Sequence, residues 1–158
     1  MKSATLLYIR NSKGEYLLIK RLKHPNKGRL SPPGGKLDIP NAESPIACAV
    51  REAEEECGIK SDYNDWTFLG IITEKDYPDI GNIMIFAFMY NKTFDLLPRD
   101  FEEGSFVYLH PDDFMNADIP ETDKLYIWKF VLEYKQKPFS VHIDCTDKGN
   151  FKCTVEQK

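Results

Sequence analysis

No apolar run in this chain approaches the roughly 20 residues that a membrane-spanning helix needs. The opening stretch MKSATLLYIRNSKGEY breaks into charge too early for a signal peptide, so the expected compartment is the cytoplasm. Cysteine is sparse: Cys48, Cys57, Cys145 and Cys153 include no Cys-x-x-Cys pair, which argues against structural zinc and for reduced thiols. Cys145 and Cys153 lie symmetrically about Gly149, a spacing that would permit a disulfide across a hairpin. His24, His110 and His142 are scattered and suggest no metal triad. Internal repeats and low-complexity segments are also missing. At 158 residues the chain is long enough for one domain with a proper core and too short for two ordinary ones, so a single domain over residues 1–158 is expected.

What is present is an ordinary globular composition, 42% apolar and 29% charged, with an uneven distribution of charge. Residues 1–36 hold nine Lys/Arg against one acid, residues 37–123 hold five against twenty, and the remainder seven against four. Solvated charge on two faces would explain the contrast; so would a phosphate site beside a metal site. The net charge of −4 weighs against nucleic-acid binding.

Thr5–Arg10 and Tyr16–Arg21 are apolar, β-prone runs around the turn Asn11-Ser12-Lys13-Gly14, the pattern of a β-hairpin. A polar loop from His24 ends in Ser31-Pro32-Pro33-Gly34-Gly35, where proline fixes φ and glycine frees it. Ser44-Pro45 is a strong helix start and Gly58 a matching stop, so a helix is predicted over about 45–57. Strands follow at Trp66–Thr73, Ile83–Tyr90 and Ser105–Leu109, then a helix over Thr122–Lys135 with Leu125, Trp128, Val131 and Leu132 as its apolar face. A last hairpin, Phe139–Cys145 and Asn150–Val155, turns at Asp147-Lys148-Gly149. Strands around one strong central helix imply an α/β or α+β sandwich.

On a helical wheel Ile46, Ala49, Val50, Ala53 and Cys57 form one stripe facing the core, while Glu52, Glu55 and Glu56 share a separate face. Carboxylates at i, i+3 and i+4 repel by a few tenths of a kcal/mol per pair in water. In a site shielded from solvent the repulsion grows, and a hard divalent cation, Mg²⁺ or Mn²⁺, is its natural compensation. Arg51, four residues before Glu55, can hold that carboxylate in place.

Gly35, Glu43 and Arg51-Glu52-Ala53-Glu54-Glu55-Glu56-Cys57-Gly58-Ile59 resemble the Nudix box, Gly-x5-Glu-x7-Arg-Glu-U-x-Glu-Glu-x-Gly-U, with U a bulky aliphatic residue. The second half matches in spacing, Ala53 standing at one U position. The first half departs, because seven residues separate Gly35 from Glu43 where the pattern has five. A loop absorbs such an insertion more easily than a helix does.

The resemblance implies a Nudix α/β/α sandwich with a mixed central sheet and a pyrophosphohydrolase activity dependent on Mg²⁺ or Mn²⁺. It implies Glu52, Glu55 and Glu56 as metal ligands with the Gly34 carbonyl, and Glu52, or else Glu103, as general base. The approach Lys27-Gly28-Arg29-Leu30-Ser31-Pro32-Pro33-Gly34-Gly35-Lys36 and the later Ile119-Pro120-Glu121-Thr122-Asp123 resemble the MutT-type subgroup, which hydrolyses oxidised purine nucleoside triphosphates such as 8-oxo-dGTP. On that likeness Glu121 or Asp123 reads the purine edge, unless Thr122 or Asp123 only caps the following helix. Arg21, Lys23, Arg29, Ser31 and Lys36 are candidates for substrate contacts. The box specifies a diphosphate and not what is attached to it, so ADP-ribose, dinucleotide polyphosphates and nucleotide sugars remain alternative substrates. A nucleotide-sensing module without turnover is the alternative of a different class, disfavoured by the intact glutamates. The expected partner is a small nucleotide, as monomer or homodimer.

Overall fold

β-Prone runs that are apolar on both faces must be covered on both sides, and the segment following Met1 is such a run. In the computed structural model, which describes residues 1–158, it forms β1 (Lys2–Arg10). Leu7 and Ile9 point into one core and Tyr8 into another. The remaining strands are β2 (Tyr16–Arg21), the short β3 (Leu30–Ser31), β4 (Trp66–Tyr77), β5 (Gly81–Thr93), β6 (Gly104–Leu109), β7 (Phe139–Asp144) and β8 (Lys152–Gln157). They make one mixed sheet in the order β3-β2-β1-β5-β4-β7-β8, with β6 paired to β2. β1 runs parallel to β5 and β4 parallel to β7; the other pairs are antiparallel.

Helix α1 (Pro45–Cys57) covers one face. Its N-cap Ser44 accepts from the Ala47 N–H at 3.2 Å, Pro45 occupies the first turn, and Gly58 closes the helix at φ 70° with its N–H on the Ala53 and Glu54 carbonyls. Ala49, Ala53 and Cys57 pack on Leu7, Ile9, Leu17 and Ile19, as the wheel predicts, and small residues there let helix and sheet approach closely. The opposite face is covered by α2 (Trp128–Leu132) and the π-helical turn Asp123–Ile127 that leads into it. The Trp128 ring packs edge-on against Tyr8 and Tyr16, each at 5.0 Å. This is the expected α/β/α sandwich. No helix is long and apolar enough to cross a membrane.

Three local expectations are corrected. The first hairpin pairs only at Arg10 and Tyr16, because β2 diverges toward β6 and β3. The glycine loop takes the vacated edge: Thr5 N–H donates to the Gly35 carbonyl and Leu7 N–H to that of Pro33, both at 2.8 Å. In the second helix Leu125 and Leu132 are exposed while Asp123, Ile127, Trp128 and Val131 are buried. The π turn, closed by the Trp128 N–H on the Asp123 carbonyl, adds a residue and rotates the buried face away from that of a regular helix. Finally, Cys153 stands opposite Ile143, not Cys145, and all four cysteines are free.

The caps of α1 are separable from its buried face. Ser44→Ala is expected to cost about 1 kcal/mol. Gly58→Ala, which meets open space but keeps a left-handed φ, should cost about 1–2 kcal/mol. Thermal denaturation should show each Tm falling by about 2–4 °C; an unchanged Tm would mean that packing alone holds the helix ends.

Candidate functional site

The acidic helix face and the glycine loop meet because two glycines leave room for it. A Cβ on Gly34 would overlap the Thr5 carbonyl, and one on Gly35 would overlap the Glu52 carboxylate. The Gly34 N–H donates to Glu56 Oε2 at 3.3 Å. The carbonyls of Pro33 and Gly35 are taken by β1, while that of Gly34 accepts no hydrogen bond from the protein. It is thus free for an outside ligand.

Arg51 organises the carboxylates. Its Nε and Nη2 donate to the two oxygens of Glu43 at 2.7 and 2.9 Å, a bidentate pair; Nη1 donates to Glu52 at 2.8 Å and Glu55 at 3.1 Å, and Nη2 also to the Lys36 carbonyl at 3.2 Å. These bonds hold the Glu43 carboxyl down to about 2. The two extra residues between Gly35 and Glu43 are absorbed in a 3-10 turn, Ile39–Asn41, and the Asp38 N–H returns to Glu43 Oε2 at 2.8 Å.

Glu52 and Glu56 line a cavity of about 520 Å³ together with Gly34, Gly35 and Glu103. Burial raises the Glu52 carboxyl above its usual range against the pull of Arg51, and burial together with the neighbouring Glu52 pushes Glu56 up to about 8. Glu103, in the turn before β6, also repels Glu56. Glu55 lies outside the cavity, its exposed side chain held by Arg51. No three acidic, histidine or cysteine side chains are grouped around one point as they stand, so a cation shared by Glu52, Glu55 and Glu56 requires Glu55 to turn inward. The donor chemistry nevertheless suits a hard divalent ion: crowded, half-neutralised carboxylates and a free carbonyl.

Of the substrate-contact candidates, Arg21, Lys23, Ser31 and Lys36 line this cavity. Arg29 and Glu121 do not; they line a second, smaller cleft that shares Tyr77 with the first, and Arg29 faces Asp118 at 3.6 Å. Asp123 does line the main cavity, its buried carboxyl without a hydrogen-bond partner, and the Thr122 side chain makes no capping bond. Burial alone pushes Asp123 up to about 7.

The sequence reading missed Glu74. It is only 4% exposed, lines the same cavity, and is pushed up to about 8 by burial and by Asp123. A signal was available, since Glu74 shares the strand face of Ile72 and interrupts an otherwise apolar run. Tyr8 from β1, Tyr77 from β4, Thr122 and Cys145 surround the two acids. The Tyr8 hydroxyl is buried without a partner, and that of Tyr77 donates to Asn26 at 2.8 Å.

These two acids set a pH dependence of stability. A carboxyl whose pKa rises on folding holds its proton longer when folded. Its contribution is therefore intact below the unfolded value, 4.5 for Glu74, and is lost as pH rises through about 8. Urea denaturation should show stability declining from pH 5 to pH 8, and Glu74→Gln should flatten that decline and gain roughly 1–3 kcal/mol at pH 8. An identical slope in the variant would show that Glu74 ionises freely in the folded protein.

Comparison with known proteins places this geometry. The NUDIX domain profile matches residues 1–129. A mutator MutT protein from Bacillus halodurans superposes with a TM-score of 0.79 at 20% identity, covering 99% of this chain and 98% of that one. A MutT protein from Methanosarcina mazei Go1 gives 0.68 at 22% identity over 84% and 94%. The NUDIX domain of Shewanella oneidensis NrtR, solved with ADP-ribose, gives 0.66 at 16% identity over 84% and 85%. With a matching profile over most of its length and the glutamate helix, Arg51 hub and glycine loop gathered at one cavity, the chain belongs to the Nudix family and is a Nudix pyrophosphohydrolase.

Proposed function

We propose that the protein hydrolyses a purine nucleoside triphosphate, oxidised guanine nucleotides included, to the monophosphate and pyrophosphate, in the cytoplasm and as a single domain. The observation that carries this reading is the single cavity of about 520 Å³, with carboxylates Glu52, Glu56 and Glu103, basic Arg21, Lys23 and Lys36, and an apolar sheet floor of Ala4, Leu6, Ile83 and Ile85. Its size is that of a small-molecule site, and its three chemistries answer to metal, phosphate and base.

Glu52, Glu55, Glu56 and the Gly34 carbonyl would hold Mg²⁺ or Mn²⁺, with Glu103 beside them. When bound, the cation neutralises phosphate charge and acidifies a bound water. Arg21, Lys23 and Lys36 draw the phosphate chain inward, and Ser31, buried at the rim, offers a hydroxyl to it. Glu52 is the general base: it lines the cavity, and burial raises its proton affinity above that of an ordinary carboxylate. Arg51 fixes its rotamer, and Glu103 is the alternative base on the facing loop. ADP-ribose is the second reading, favoured by the ADP-ribose complex of the NrtR Nudix domain.

Glu56→Gln should lower kcat with Mg²⁺ about a thousandfold, with circular dichroism unchanged. Full turnover in that variant would remove the carboxylates from the chemistry. Assays of the nucleoside monophosphate and pyrophosphate formed from dGTP, 8-oxo-dGTP, ADP-ribose and diadenosine polyphosphates decide the substrate class, with 8-oxo-dGTP expected as the best and ADP-ribose the competing outcome.

A further inference from the structure

β8 ends the strand order, and its outer backbone edge is bare: no N–H or carbonyl of Lys152–Gln157 bonds outside the ladder with β7. The opposite end of the order is β3, two residues long and too short to recruit a strand, whereas β8 offers six. An open edge of that length is a template for another strand, which proteins cover, blunt or use. It lies beyond residues 1–129, the part that the family profile matches. The register with β7 sorts its side chains. Cys153 and Val155 lie on the face of the buried Ile143 and Val141, while Lys152, Thr154 and Glu156 lie on the opposite, polar face. Val155 nevertheless remains 43% exposed. Lys152 stands opposite Asp144 in the ladder but enters no ion pair, and Glu156 is held only by the Ser140 hydroxyl, which donates to Oε1 at 3.0 Å.

We propose that β8 is a homodimer interface, pairing antiparallel with β8 of a second copy across a two-fold axis at Thr154 and joining two eight-stranded sheets into one. The strand is complementary to itself. With Thr154 opposite Thr154 of the copy, Lys152 faces Glu156 and Glu156 faces Lys152 on the polar side, and Cys153 faces Val155 twice on the apolar side. Residues directly opposite in such a pair share a face, so a slip of one residue would set apolar side chains against polar ones. A slip of two sets Lys152 against Lys158 in one direction and Glu156 against Asn150 in the other, and both ion pairs are lost. An unrelated extended peptide would meet the same edge without those two pairs, so a second copy is the occupant that the sequence selects. The paired segment, Lys152–Glu156, makes a small interface, and small interfaces belong to reversible association rather than to obligate assembly.

Sedimentation velocity of the full chain, from micromolar to millimolar protein, tests this with Lys152→Glu, Glu156→Lys and the double reversal. The wild type should show a monomer–dimer equilibrium. Each single reversal sets like charges opposite one another at both symmetric pairs and should weaken dimerisation about tenfold or more. An equimolar mixture of the two single variants regains two opposite-charge pairs and should dimerise as the wild type does; so should the double reversal. The mixture separates interface from fold, since its components carry whatever the substitutions cost the monomer. A wild type that stays monomeric at millimolar concentration overturns the assignment. So does a dimer indifferent to both reversals, or a mixture that associates no better than its components.

Discussion

One guanidinium joins the parts of this site that folding brings from different places. Arg51 lies on α1, yet it binds the Lys36 carbonyl next to the glycine loop, clamps Glu43 from the segment before the helix, and steadies Glu52 and Glu55 on its own helix. Bidentate and charge-assisted bonds of this kind are the strongest hydrogen bonds a protein makes. They also hold three glutamates, Glu43, Glu52 and Glu55, around one guanidinium at the α1 end of the cavity. Lysine, with one mobile point charge, has no fork to make the same set of bonds.

The cavity holds acid at two ends, and loss of solvent is the first cause of the raised carboxyls at both. Near α1, carboxylates crowd one another and are raised partly by mutual repulsion, the condition that a divalent cation relieves. At the far end, Glu74 and Asp123 are raised first by loss of solvent. The protein thus keeps two groups of raised carboxyls in one pocket, Glu52 and Glu56 at one end and Glu74 and Asp123 at the other. Both sets weaken the folded state, as functional polar groups commonly do.

Much of the α1 end was legible because its determinants are local. Ser44-Pro45 and Gly58 mark the helix, and spacing alone puts Glu52, Glu55 and Glu56 on one face. The far end depended on non-local facts. Which strand takes the edge of β1 was decided by a loop whose carbonyls compete for its N–H groups, and a hairpin pattern carries no trace of that competition. Which face of the second helix is buried was decided by one π turn, invisible to a periodicity of 3.6. Glu74 escaped notice because the predicted strand stopped at Thr73, one residue short of it, where an acid reads as the start of a turn. Glu43, out of step with the family spacing, still reaches Arg51 because the inserted residues coil into a 3-10 turn.

The central claim is that the glutamate face of α1 is a divalent-cation platform, and binding tests it more directly than turnover. Titration of free Mn²⁺ followed by electron paramagnetic resonance should show saturable binding to the wild-type protein and an affinity weaker by about 10–100-fold in the double variant Glu52→Gln, Glu56→Gln. Equal Mn²⁺ binding by the two proteins would contradict the account.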